Sequence, residues 1–202
     1  MRVTLFDYGA GNLHSLAKAV ARAGGEVRVE SDPAAALATD VLVLPGVGAF
    51  APAAAALAPA RERMRDALAS GLPCVAICLG MQLLFDRSDE GEGDGLGLIA
   101  GGVRRLRAGR VPHMGWNELE AEAGAGAGLE TAYFAHSFVC APDDANTVCA
   151  WTRHEDDRFP AVVRVANTIG AQFHPEKSSA PGLAFLARAL EMVTAQESGG
   201  RS

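Results

Sequence analysis

Basic residues are the minority in this chain of 202 residues, 18 against 24 acidic ones, for a formal charge of −6. That balance excludes a nucleic-acid binder working through a general basic footprint, though not a local basic patch. Long apolar runs are missing too. No stretch approaches the ~20 apolar residues that cross a bilayer. The opening Met1-Arg2-Val3-Thr4-Leu5-Phe6-Asp7 has neither the apolar length nor the small-residue cleavage site of a secretory leader. The expectation is a cytoplasmic protein. Cysteines number only four, at positions 74, 78, 140 and 149. They form no pair of CxxC motifs and have no nearby His-x3–5-His, so a structural zinc site is not expected. In a reducing compartment they stay thiols.

Hydrophobic residues make up 49% of the chain, enough for a sizeable core in one domain. The domain is read as residues 1–196, with 197–202 as a frayed polar tail. In the first half, short apolar runs at Val3–Phe6, Glu26–Val29, Val41–Leu44 and Pro73–Ile77 alternate with helical patterns. The helices are read over Leu13–Ala23, entered through Asn12, over Ala53–Ala69, closed by Gly71, and over Leu79–Phe85. This alternation predicts βαβ units and a parallel sheet covered on both faces. Ser88–Leu98 reads as a loop and Ala121–Gly128 as a tolerant surface loop. Apolar runs at Val103–Arg107, Trp116–Leu119, Ala132–Phe134, Thr147–Ala150, Ala161–Val165 and Thr168–Phe173 predict a largely antiparallel extension of the sheet. A helix near Gly182–Val193 closes the chain.

Cys78 lies in Val75-Ala76-Ile77-Cys78-Leu79-Gly80-Met81-Gln82, where a strand runs directly into a helix. This is the setting of a nucleophile elbow. Strand and helix approach closely there, so small residues are needed two before and two after the nucleophile. Ala76 and Gly80 fill those places. A helix start beside the sulfur favours the thiolate. The alternative is a cysteine packed in the core. Cys74, Cys140 and Cys149 have no such context and read as packing residues.

Near the other end, His174-Pro175-Glu176 predicts an extended segment, because the proline disfavours the helical conformation at His174. Residues two apart in an extended chain share a side, so Glu176 can orient the His174 imidazole as the third member of a triad. A surface His and Glu at a strand end is the plainer reading. His14 falls in a helix, His154 among acids reads as solvated, and the segments after His113 and His136 could line a site. The third segment is Pro45-Gly46-Val47-Gly48-Ala49-Phe50, a strand end followed by two glycines one position apart. Glycines let backbone N–H groups approach a ligand, as an oxyanion hole requires, with the N–H of Leu79 as a second donor. A plain turn is the alternative.

Taken together, Pro45-Gly46-Val47-Gly48, Ile77-Cys78-Leu79-Gly80-Met81-Gln82 and Gln172-Phe173-His174-Pro175-Glu176-Lys177-Ser178 resemble the class I glutamine amidotransferases over nearly the whole chain. The resemblance implies a flavodoxin-like α/β fold with a parallel or mixed central sheet flanked by helices. It also implies release of ammonia from glutamine without metal or organic cofactor. By the same resemblance Cys78, His174 and Glu176 form the triad and Val47, Gly48 and Leu79 the oxyanion hole. Gln82, His136, Ser137 and Phe138 would bind glutamine.

Asp7–Leu13, Pro112–Asn117 and Tyr133–Phe138 are most like the branch that feeds a (β/α)8-barrel cyclase subunit in histidine biosynthesis. A heterodimer is implied, with Asn12, Trp116, Asn117 and Lys177 as candidate docking residues. Ala76 stands where the family usually has Gly, and Phe138 where it usually has Tyr. Rival expectations are the glutaminases of anthranilate, aminodeoxychorismate or pyridoxal phosphate synthesis, an idle interaction module, and a hydrolase of γ-glutamyl peptides.

Overall fold

A computed structural model describes residues 1–9, 13–121 and 129–195. Asn12, most of the expected loop at 121–128 and the expected tail 197–202 therefore lie outside the described residues. The first half comprises β1 (Arg2–Phe6), α1 (His14–Arg22), β2 (Glu26–Glu30), β3 (Val41–Leu44), α2 (Phe50–Leu57), α3 (Arg61–Ala69), β4 (Cys74–Ile77) and the single turn α4 (Leu79–Gln82). Strands dominate thereafter: β5 (Arg87–Ser88), β6 (Gly91–Asp94), β7 (Gly101–Arg105), β8 (His113–Glu118) and β9 (Glu120–Ala121). They continue with β10 (Thr131–His136), β11 (Phe138–Pro142), β12 (Val148–His154), β13 (Asp157–Val165) and β14 (Thr168–Ala171), and α5 (Ser179–Thr194) closes the chain.

Among the described residues the main sheet runs β2-β1-β3-β4-β14-β13-β12-β9. Its uniform apolar strands are buried on both faces because side chains alternate across a strand. Val41, Val43, Val75 and Ile77 pack with Leu16 and Val20 of α1 and Phe185, Leu186 and Leu190 of α5. Leu42, Leu44, Cys74 and Ala76 pack on the other face with Phe50, Leu57, Met64 and Leu68. Each fully buried large side chain contributes roughly 1.5–3 kcal/mol.

Four expectations are corrected. The helix read over Ala53–Ala69 is two helices, α2 and α3, separated by a 3-10 turn at Ala58–Ala60. Pro59 lies in that turn, where its missing N–H interrupts α-helical pairing, and the backbone leaves the helical region at Ala60, with φ −131° and ψ 19°. The helix read over Leu79–Phe85 stops at Gln82, because the carbonyls of Leu83, Leu84 and Phe85 accept from the N–H groups of Leu96, Gly97, Leu98 and Ile99. Ser88–Leu98 is not simply a loop, since β5 and β6 pair antiparallel within it.

The expected antiparallel extension of the sheet is formed by β13, β12 and β9, but β14, read as one of its strands, pairs parallel with β4. A parallel neighbour needs a long crossover, and residues 78–167 supply it. Within that crossover β8 and β10 form their own antiparallel pair, while β11-β7-β5-β6 form a small four-stranded sheet.

Candidate active site

β3, β4 and β14 are adjacent and parallel, so their carboxyl ends share one edge of the sheet. That is where open α/β sheets place their sites. Cys78 follows β4 there with φ 47° and ψ −104°, a conformation that costs a non-glycine residue on the order of 1–3 kcal/mol. The turn is held from both sides. The Cys78 N–H donates to the Ala171 carbonyl of β14 at 2.6 Å, and the Cys78 carbonyl accepts from Gln82 N–H at 3.1 Å. Gly80 lies so close to the Leu44 carbonyl that a Cβ would collide with it, and a Cβ on Gly46 would come within 2.8 Å of Cys78 Cβ. The small residues around the elbow thus let β3, β4 and α4 converge on the sulfur.

His174 reaches this edge from the end of β14. Its ring is buried, and its Nδ1 lies 2.9 Å from Glu176 Oε1. The extended course expected through Glu176 holds only at His174, with φ −102° and ψ 97°. Pro175–Lys177 forms a 3-10 turn. Proline's fixed φ suits the first position of such a turn, so the turn, rather than a strand pleat, brings His and Glu together. Ser178, which the sequence reading leaves unassigned, locks the turn. Its hydroxyl donates to the His174 carbonyl at 2.7 Å and accepts from Tyr133 N–H at 2.9 Å. Burial by itself would lower the His174 pKa, but hydrogen bonds and charge from Cys78 and Glu176 outweigh it and push it up to about 10. The Gln172 side-chain amide also points at the nucleophile, with Nε2 3.6 Å from Cys78 Sγ.

Cys78 opens into a cleft of about 300 Å³, lined also by Gly46, Gly48, Leu79, Gln82 and residues 135–138. Gly48 has φ +112°, a conformation open to glycine. Val47 lies half-buried between the two lining glycines. Gln82 Nε2 donates to the Phe138 carbonyl at 3.0 Å, tying the elbow helix to the opposite wall. His136, Ser137 and Phe138 all line the cleft. The sequence reading misses Glu90, which lines the cleft and accepts the Phe50 N–H of α2 at 3.1 Å. Nothing local distinguishes it among the neighbouring acids Asp86, Asp89, Glu92 and Asp94.

Trp116 and Met114 stand exposed on β8, and Met114 also lines the cleft. Lys177 is exposed in the turn after His174. Asn117 is half-buried, and its amide donates to the Arg153 carbonyl at 2.8 Å. Asn12 is outside the described residues. His154 is not simply solvated among its acidic neighbours: its ring stacks on buried His113 with centroids 4.1 Å apart, and its Nε2 donates to the Arg110 carbonyl. Among the described residues no group of three or more His, Cys, Asp or Glu could hold a metal ion, and no helix is long and apolar enough to cross a membrane.

A mixed α/β sheet with a strained cysteine at the carboxyl edge of its parallel strands, beside a His–Glu pair, is the arrangement of cysteine-dependent amide hydrolysis. The chain belongs to the class I glutamine amidotransferase family, whose profile matches residues 4–192. It is a glutamine-hydrolysing enzyme of that family. Among its relatives, imidazole glycerol phosphate synthase subunit HisH of Halobacterium salinarum is 45% identical over 197 residues, covering 91% of this chain and 90% of that one. The subunit of the same name from Thermus thermophilus is 47% identical over 194 residues, covering 94% and 96%. A crystal structure of a glutamine amidotransferase shares the fold with a TM-score of 0.71 at 23% identity, over 95% of this chain and 98% of that one.

Proposed function

We propose that this chain is the glutaminase subunit of imidazole glycerol phosphate synthase, with Cys78 as nucleophile, His174 as acid and base, and Glu176 as orienter. The observation that carries the chemistry is the strained Cys78 lining the cleft, with the buried His174 ring hydrogen-bonded to it and to Glu176. The similarity to the two named subunits supports the pathway.

Glutamine enters with its side-chain carboxamide at Cys78. Glu90 is the carboxylate on the cleft wall and suits the substrate's ammonium group. The main chain at His136–Phe138, together with Gln82, holds the rest of the amino-acid end. The Cys78 thiolate attacks the amide carbon, and backbone N–H groups of Leu79 and of the Val47–Gly48 segment take the developing oxyanion. His174 gives a proton to the departing nitrogen, leaving a thioester. The same ring then takes a proton from water, which hydrolyses the thioester to glutamate and frees Cys78. One glutamine and one water thus become glutamate and ammonia.

The cleft reaches the exposed face of β8 through Pro112 and Met114. That face, with Met114 and Trp116, is where a (β/α)8-barrel cyclase subunit docks and receives ammonia before it meets bulk water, with Lys177 as a further candidate contact. The partners form a heterodimer in the cytoplasm.

The test pairs the chain with the cyclase subunit of a relative. Glutamine-dependent formation of imidazole glycerol phosphate should require both proteins. Cys78→Ala should abolish it while leaving synthesis from added ammonium intact. Retained use of glutamine by that variant removes Cys78 as nucleophile. Glutamine hydrolysis without transfer to any cyclase removes the pathway.

A further inference from the structure

The wall of the cleft opposite Cys78 ends in a chain of hydrogen bonds that the triad chemistry does not use. The Phe138 carbonyl accepts from Gln82 Nε2 on one side, and His136 Nδ1 lies 3.0 Å from it on the other. A carbonyl only accepts, so His136 carries its proton on Nδ1 and offers a lone pair at Nε2. That lone pair faces His113 Nδ1 at 3.2 Å, so His113 also carries its proton on Nδ1. The remaining nitrogen, His113 Nε2, must then accept, and Asn117 Nδ2 lies 3.4 Å from it. The orientation of the Asn117 amide is fixed independently, because its Oδ1 accepts the Glu118 N–H at 3.0 Å and its Nδ2 donates to the Arg153 carbonyl. Both ends of the chain therefore impose one direction, running from Asn117 to His113, to His136, to the Phe138 carbonyl.

Packing leaves the rings little freedom. His113 is stacked between Phe134, with centroids 4.9 Å apart, and His154. His136 meets Phe159 edge-on at 5.2 Å. We propose that His113 and His136 are positioning residues. They hold the Phe138 carbonyl, and through it the Gln82 amide, in the orientation that receives glutamine. With Nε2 of Gln82 committed to Phe138, Gln82 presents Oε1 as its acceptor, and a glutamine-binding cleft needs that orientation fixed before substrate arrives. The inference rests on the glutaminase reading only for the identity of the ligand. Burial, followed by the neighbouring histidines, lowers both rings, His113 to about 4 and His136 to about 3. Both stay neutral at physiological pH, as the directional chain requires, because a second proton on either ring would point N–H at N–H.

Two measurements test this on the full chain. The first is the ring-nitrogen spectrum of the ¹⁵N-histidine-labelled protein, assigned by loss of signals in His113→Asn and His136→Asn. Both rings should be in the Nδ1–H form and unchanged between about pH 6 and pH 8, near the free-histidine value. An Nε2–H form or titration in that window overturns the proposal. The second is steady-state glutamine hydrolysis in the presence of the cyclase subunit. His113→Leu should raise KM about tenfold with kcat within about threefold, as loss of ground-state binding does. His113→Asn, whose amide nitrogen can replace Nδ1, should return KM to within about threefold of wild type. Unchanged KM in the leucine variant, or equal impairment of both variants, overturns the proposal. If His113→Leu does not fold, His113→Gln takes its place, because its amide nitrogen falls at the position of Nε2 and leaves His136 without its donor. A wild-type chain that hydrolyses no glutamine at all refutes the function instead, and the tautomers still decide the network.

Discussion

His174 and Glu176 are two residues apart and meet across a 3-10 turn, Nδ1 to Oε1 at 2.9 Å, with both side chains buried. The contact commits Nδ1 to the carboxylate and leaves Nε2 for the nucleophile side. Removing the charge but not the shape, as in Glu176→Gln, should lower kcat on the order of 10²–10⁴-fold, by analogy with loss of the orienting acid in other triads.

The contacts of His174 with Cys78 and with Glu176 make stability depend on pH. The folded pKa of His174 is raised from 6.5 to about 10. Its contribution is therefore complete below about 6.5 and is lost as pH rises towards 10. In urea unfolding, the gap between wild type and Glu176→Gln should be widest near pH 6 and close towards pH 10. A gap that is constant with pH would show that the carboxylate contributes by packing and not by charge.

Gly80→Ala should damage the elbow without touching the sulfur. A methyl group there meets the Leu44 carbonyl, a backbone atom that cannot swing aside. Overpacking of this kind costs roughly 1–3 kcal/mol or more. The urea midpoint should fall, and labelling of Cys78 by a glutamine-analogue electrophile should slow. Wild-type stability and wild-type labelling together would mean that strand and helix are less tightly apposed than described.

Glu90→Gln isolates substrate binding. The carboxylate lines the cleft and also accepts the first N–H of α2. A charge-assisted hydrogen bond contributes roughly 1.5–3 kcal/mol, so KM for glutamine should rise about tenfold or more. Because the contact lies away from the scissile amide, kcat should change little. Steady-state kinetics decide it: a fall in kcat at constant KM would place Glu90 in the chemical step.

The elbow was readable because its requirements are local. An apolar strand, a cysteine and small residues on either side leave few other conformations, and Cys78 adopts the strained one. The His–Glu spacing was also readable, although a 3-10 turn produces it instead of an extended strand. Pro59 carried a local signal for the break between α2 and α3, and the apolar pattern on either side masked it. Glu90 was not readable, because what singles it out is the approach of the segment at 87–94 to α2 and the cleft.

By itself the sequence determined the strand runs of the first half, the elbow, the glycines beside it and the His–Pro–Glu spacing. Each depends on backbone sterics and on residues within a few positions of one another. Only the tertiary structure decided that β14 lies parallel beside β4, bringing residues 78 and 174 to one edge. It likewise decided that β8 and β10 leave the main sheet, and that His113, His136 and His154 gather into one packed cluster. The physical reason is that strand pairing and ring packing are settled by surface buried between segments far apart in the chain, and no local pattern records which segments those are.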